Sequence, residues 1–165
     1  MKTRSNNSGD MNGMVDKSTP FANYQSEKGS FYFTCRSHHQ YYNKLVKETG
    51  TAANDWERFT LFYLLASIKR FRESPDKFIF LKEVRPNPQA FKENLNWDEQ
   101  VLVQLAFYLY TGRDIFKISL LDLFTNLDEE NTLIAINAIK LRFNITFELF
   151  KKWSIITYFN LIKKI

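Results

Sequence analysis

Cys35, His38 and His39 are the residues of this chain whose types and spacing could do chemistry. A thiol and an imidazole three residues apart could act as nucleophile and base if a third group oriented the base. They could also contribute to a zinc site, but zinc takes about four ligands and the chain has no other Cys or His. We therefore predict no catalytic residue, no metal and no cofactor. We interpret His38 as a structural residue in a first helical turn beside Tyr42, and Cys35 as a small buried residue.

Carboxylates are the second candidate, because a pair of them can act as general acid and base. The candidates are Asp114, Asp122, Asp128, Glu129 and Glu130. Each lies before or at a predicted helix start, where a carboxylate caps free N–H groups or faces the helix dipole. The sequence also has no Gly-rich phosphate loop, GxSxG, HExxH or EF-hand motif. We expect that the protein is not an enzyme, and an unrecognised enzyme is our third alternative.

Lysines and arginines form two clusters that could bind nucleic-acid phosphates. The clusters are Lys69, Arg70, Arg72 and Lys77, and Lys151, Lys152, Lys163 and Lys164. The net charge of +5 is uneven, because residues 31–143 hold fifteen Lys/Arg against fourteen Asp/Glu. In residues 144–165, four lysines stand against Glu148 alone. Since a nucleic-acid footprint needs basic residues over a whole face, nucleic-acid binding is the alternative function.

Composition favours a small helical domain in a reducing compartment. The 165 residues are 44% hydrophobic, with only five Gly and four Pro, which favours helices over a turn-rich sandwich. The single cysteine excludes an internal disulfide and suits the cytoplasm. No signal-peptide core or membrane span is visible, so we expect a cytoplasmic protein and do not expect membrane binding.

Four pairs of residues with cap-box spacing predict helix starts. The pairs are Ser37 with Gln40, Asn54 with Glu57, Asn96 with Glu99, and Ser119 with Asp122. The predicted helices are Ser37 to Gly50, Trp56–Arg72, Trp97–Tyr110, Ser119–Phe124 and Asp128–Phe143, with a helical turn at Gln89–Asn94. The segment Lys77–Val84 alternates as a short strand does, with a helical turn as the alternative. We predict a mainly α fold of about five to six helices with at most a short β-element.

Three regions are expected along the chain. Residues 1–30 are rich in Ser, Asn and Gly and are predicted to be a disordered tail, and residues 31–143 form the helical domain. Residues 144–165 are predicted to form a C-terminal helix, either packed on the domain or bound to a partner, because its apolar residues lie nearly all round. Its predicted partner-binding residues are Phe147, Phe150, Trp153, Tyr158 and Phe159. The expected function is a non-enzymatic interaction protein that binds another protein or a second copy of itself.

Several stretches resemble domain families of unknown function from Firmicutes, their phages and mobile elements. In Phe31–Leu45, the residues His38, Tyr42 and Leu45 form an H-x3-aromatic-x2-L pattern that is similar to the opening of those families. The other similar stretches are Thr60–Ala66, Leu105–Gly112, Leu121–Phe124 and Ala138–Phe143. The resemblance covers about residues 31–143. It implies a small, mainly helical cytoplasmic domain and brings no catalytic residues.

Overall fold

The computed structural model describes residues 23–26, 29–113 and 119–145, which are mainly helical as predicted. The helices in these residues are α1 (Arg36–Glu48), α2 (Trp56–Ser67), α3 (Lys69–Glu73), α4 (Trp97–Thr111), α5 (Leu120–Asn126) and α6 (Glu129–Arg142). The strands are β1 (Asn23–Ser26), β2 (Gly29–Tyr32), β3 (Ile79–Phe80) and β4 (Arg85–Pro86), and they form two separate antiparallel pairs. Single turns of 3₁₀ helix lie at Pro75–Lys77 and Pro88–Lys92.

Helix α2 is the centre of the domain, because α1, α4 and α6 all pack against it. The Arg142 guanidinium at the end of α6 donates to the Leu109 carbonyl near the end of α4 at 2.8 Å. The same guanidinium pairs with Glu57 in the first turn of α2 at 2.7 Å. Helices α4 and α6 therefore run parallel to each other and antiparallel to α2.

Two of the four predicted cap residues are wrong, because the observed cap lies one or two residues away. Cys35, not Ser37, caps α1, and its sulfur accepts from the backbone N–H three residues on. Asp55, not Asn54, caps α2, and its carboxylate accepts from the corresponding N–H at 3.0 Å. In both cases another acceptor, one or two residues away, makes the bond that the predicted cap residue could have made.

The other helix boundaries agree with the sequence. Asn96 and Glu99 form the complete capping box of α4, with bonds of 2.8 and 3.1 Å. Gly112 ends this helix in the left-handed region, at φ +68°, where a side chain would be strained. The Ser119 carbonyl accepts the N–H of Leu123 in the first turn of α5, and the Asp122 side chain lies outside the described residues.

The prediction of one helix over Trp56–Arg72 is wrong, because the chain becomes extended at Ile68, with ψ 120°. Helix α2 ends there, and the short helix α3 follows. The Arg72 guanidinium reaches back to the carbonyls of Ala66 and Ser67, at 2.6 and 2.8 Å. It thereby satisfies carbonyls that the helix end leaves without an intrahelical partner.

Within Lys77–Val84, the strand prediction is correct only for the two residues of β3, which pair with β4. Val84 precedes β4 with φ +47°, a conformation that a β-branched residue rarely adopts. Its side chain is nonetheless buried in the core. It also lines a groove of about 270 Å³ beside Glu48 and Arg58, whose charges are compensated by Lys44 and Asp55.

The first hairpin begins inside the segment that the sequence predicts to be a tail. Asn23 lies opposite Tyr32, so the domain boundary expected at residue 31 falls within the β1–β2 pair. The rest of the predicted tail, residues 1–22 and 27–28, and the predicted C-terminal helix beyond residue 145 lie outside the described residues. Among the helices of the described ranges, none has the length and apolarity needed to cross a membrane.

We predict that Asn96→Ala lowers the free energy of unfolding by about 1 kcal/mol, because the first turn of α4 loses its side-chain acceptor. Urea unfolding followed by circular dichroism measures the change. Asn94→Ala is the matched control, since Asn94 is an exposed asparagine of the same loop. Equal stability of the two variants would contradict the assigned cap.

Candidate interaction surface

His38 is a buried structural residue, as predicted. Its Nε2 lies 2.8 Å from the backbone carbonyl of Tyr63. Because a carbonyl only accepts, Nε2 carries the proton, and Nδ1 accepts from the N–H and hydroxyl of Thr34, both at 3.4 Å. The rings of Phe33 and Tyr63 pack against the imidazole, and Tyr42 packs against both of them. Both ring nitrogens are therefore engaged within the core.

Burial lowers the pKa of His38 to about 3, from an ordinary value of 6.5. The hydrogen bond to the Tyr63 carbonyl opposes this change, whereas the positive charges of Arg72 and His39 add to it. His38 is consequently neutral at pH 7. In this setting its hydrogen bond to the Tyr63 carbonyl holds α1 to the central helix.

Cys35 is exposed, so the prediction of a buried cysteine is wrong. Its extended backbone, with φ −158°, places it just outside α1, where the sulfur serves as the helix cap. The sulfur lies 3.4 Å from the His38 backbone nitrogen and 3.7 Å from the Thr34 hydroxyl. The sulfur therefore faces the helix backbone, while the His38 ring points to other partners.

The acidic residues at the start of α6 act as the sequence predicts. Asp128 accepts from the backbone N–H of Asn131 at 2.7 Å, and Glu129 and Glu130 occupy the first turn. Burial, and after it the charge of Asp128, raises the pKa of Asp98. Asp114 lies outside the described residues. In the part of the chain that the structure describes, no three or more His, Cys, Asp or Glu side chains are grouped as a metal site.

The first basic cluster is not a free cationic face, because each of its four members bonds within the domain. Arg72 caps α2, as described above. The ion pairs, with their N–O distances, are Lys69 to Glu73 at 3.7 Å, Arg70 to Glu99 at 3.4 Å and Lys77 to Glu93 at 2.9 Å. The second cluster lies outside the described residues and comprises Lys151, Lys152, Lys163 and Lys164.

The predicted partner-binding aromatics also lie outside the described residues, so the candidate surface must be sought elsewhere. Those aromatics are Phe147, Phe150, Trp153, Tyr158 and Phe159. Large apolar side chains that are exposed in the described residues are Phe80, Trp97, Tyr108, Leu121, Ile136 and Phe143. Phe80 is partly covered by the Arg85 guanidinium, 4.4 Å from the ring centroid. Two of the others share one side of α4.

The outward side of α4 carries an uncharged stripe that includes two exposed aromatic residues. Spacings of three or four residues place its members on one side of the helix. We call this set the α4 stripe, and it consists of Trp97, Gln100, Gln104, Tyr108 and Thr111. Trp97 is 56% exposed and Tyr108 is 45% exposed, although the opposite side of α4 is buried. From Gln100 to Gly112 the sequence contains no charged residue.

This composition is similar to that of the cores of protein interfaces. The cores of protein interfaces are depleted in charged residues and enriched in aromatic ones, and Trp and Tyr often dominate their binding energy. Sequence reasoning missed the stripe because Trp97 and Tyr108 read as core residues in an apolar helix. The sequence feature that could have identified the stripe is the eleven-residue spacing of Trp97 and Tyr108, combined with the absence of charge from Gln100 to Gly112.

We predict a specific pH dependence of stability from His38. The unfolded chain protonates this group below about pH 6.5, whereas the folded protein does so only near pH 3, where its lowered pKa lies. Because the unfolded state binds more protons between these values, the free energy of unfolding falls as the pH decreases through that window. His38→Gln removes the titration. The stability advantage of the parent over this variant should shrink by about 2 kcal/mol from pH 7 to pH 5 in urea unfolding.

Carboxylates common to both proteins cancel in that comparison, so it isolates His38. Parallel pH profiles of the parent and His38→Gln would show that the imidazole is not kept neutral in the core.

The comparison with protein families confirms the expected resemblance to a domain of unknown function. No curated protein and no solved structure matches the chain. Residues 28–153 match a family of unknown function, DUF6075. The matched range contains the region predicted from the sequence, about residues 31–143, and extends it at both ends. The chain therefore belongs to the DUF6075 family.

Proposed function

We propose that this protein is a non-enzymatic interaction protein that binds another protein molecule through the α4 stripe. The observation that carries the proposal is the exposure of Trp97 and Tyr108 on one uncharged side of a helix whose opposite side is buried. Two aromatic anchors about three helical turns apart can enter pockets of a partner, while Gln104 between them supplies hydrogen bonds. The proposal includes a second copy of the chain as the simplest partner.

The ion pairs of the first basic cluster support a protein partner over a nucleic acid. A nucleic acid would have to displace Glu99 from Arg70 and Glu93 from Lys77 before phosphates could bind. Binding through the α4 stripe instead releases no counterions, so its affinity should change little with salt. Salt dependence therefore separates the two functions.

The cellular setting is part of the proposal. We place the protein in the cytoplasm, where the exposed thiol of Cys35 stays reduced. The resemblance to domains of Firmicutes, phages and mobile elements leads us to propose the same context for this chain. In that setting the protein acts by occupying a surface of its partner.

We predict that Gln104→Lys weakens partner binding by roughly tenfold or more, because a lysine buried in the interface loses its hydration without a compensating acceptor. Gln40→Lys is the matched control, since it makes the same change at an exposed position of α1. The immobilised full chain is used to capture proteins from a bacterial extract at 0.1 and 0.5 M NaCl. Light scattering of the purified proteins tests association with a second copy.

Capture or self-association that is lost in Gln104→Lys, kept in Gln40→Lys and similar at both salt concentrations supports the proposal. Retention of every partner and of the same molecular mass in Gln104→Lys contradicts it. Binding to nucleic acid that weakens steeply with salt would favour the alternative function.

A further inference from the structure

The groove beside Val84 forms where three segments of the chain meet. These segments are the end of α1, the first turn of α2 and the turn between β3 and β4. The volume of the groove is about 270 Å³, and its lining residues are Glu48, Thr49, Arg58, Leu81, Lys82 and Val84. Ligand pockets in proteins begin at about 300 Å³, so a ligand of this groove has to be small.

Two cationic side chains of the groove have donors available for an anion. Lys82 makes no ion pair with any residue that the structure describes, whereas the next residue, Glu83, pairs with Arg85 at 3.0 Å. The Arg58 guanidinium meets the Asp55 carboxylate through Nε at 3.2 Å. One carboxylate engages at most two of the five N–H groups of a guanidinium, so donors of Arg58 remain for a second acceptor.

Leu81 and Val84 form an apolar wall of the groove, and hydrogen bonds of the turn hold this wall in place. The N–H of Glu83 donates to the Phe80 carbonyl at 3.1 Å, and the N–H of Val84 donates to the Leu81 carbonyl at 3.3 Å. Val84 keeps its left-handed backbone while its side chain is buried, so the surrounding packing fixes a conformation that is unfavourable by itself. Because the wall is already ordered, a ligand does not have to order it on binding.

We propose that this groove binds a small organic anion, namely a monocarboxylate with a short apolar tail. The carboxylate bonds to the Arg58 guanidinium and the Lys82 ammonium, and the tail lies against the apolar wall. Arginine suits this role because its planar fork of N–H groups matches the two oxygens of a carboxylate, whereas lysine adds a point charge. The groove shares no residue with the α4 stripe, so this site is independent of the proposed function.

The charges in and next to the groove favour a single negative charge on the ligand. Lys44, the partner of Glu48 at 3.9 Å, lies next to the groove, as does Asp55. Three cationic side chains therefore stand against two acidic ones, which leaves one positive charge in excess. A monocarboxylate neutralises this excess. A second negative charge on the ligand would have no cation left and would be repelled by Glu48 and Asp55.

Titration of the full chain with isocaproate, followed by nitrogen–proton correlation NMR, tests the proposal. We expect saturable shifts of the backbone amides of Arg58, Leu81 and Lys82, with a Kd on the order of millimolar. Lys82→Gln should raise this Kd by about three- to fivefold, because the complex loses one ion pair at the surface. Lys92→Gln is the matched control, since it makes the same change at an exposed lysine that does not line the groove.

Isocaproamide has the same tail without the charge and should cause no saturable shift, and amide signals outside the groove show that each variant is folded. Shifts that stay linear with isocaproate concentration overturn the proposal, and so do equal Kd values for Lys82→Gln and Lys92→Gln. Shifts that isocaproamide reproduces would remove the role of the charge. Tighter binding of inorganic phosphate than of isocaproate would overturn the assignment to a monocarboxylate.

Discussion

Helix α2 has no side that faces solvent, and the rest of the domain is arranged around that constraint. Every side chain from Phe59 to Ala66 is buried, so the few polar atoms among them need partners inside the protein. The Thr60 hydroxyl bonds to its own helix, and the Tyr63 hydroxyl donates to the Tyr32 carbonyl. The Tyr63 carbonyl accepts from His38. These bonds tie the first hairpin and α1 to the centre, which leaves the other sides of α2 for α4 and α6.

The sequence predicts the features of this arrangement that depend on neighbouring residues. The Asn96 capping box and the turn at Gly112 are local, and their residue types are diagnostic. The break at Ile68 was not predicted because it depends on Arg72 reaching back across the end of another helix. The exposure of Cys35 was missed for a similar reason, since the start of α1 is set by burial of the side chains around it.

The α4 stripe also could not be predicted from neighbouring residues alone. In the sequence, Trp97 and Tyr108 look like other large residues of an apolar helix. Only the packing of α4 on α2 determines which residues of α4 are exposed to solvent. Conversely, the basic cluster looks like a surface feature in the sequence. Its acidic partners Glu93 and Glu99 come from segments at least sixteen residues away from Lys77 and Arg70. The ion pairs of the basic cluster therefore depend on long-range packing, as does the exposure of the α4 stripe.

The parallel arrangement of α4 and α6 places Tyr108 and Phe143 at the same end of the domain, where Arg142 bonds to the Leu109 carbonyl. The two exposed aromatic side chains differ in their surroundings. Tyr108 belongs to a row of uncharged side chains, whereas Phe143 lies beside Arg142, whose guanidinium is 5.7 Å from its ring centroid. Since the cores of protein interfaces are depleted in charged residues, the proposed contact between molecules fits the α4 stripe better than this end of α6.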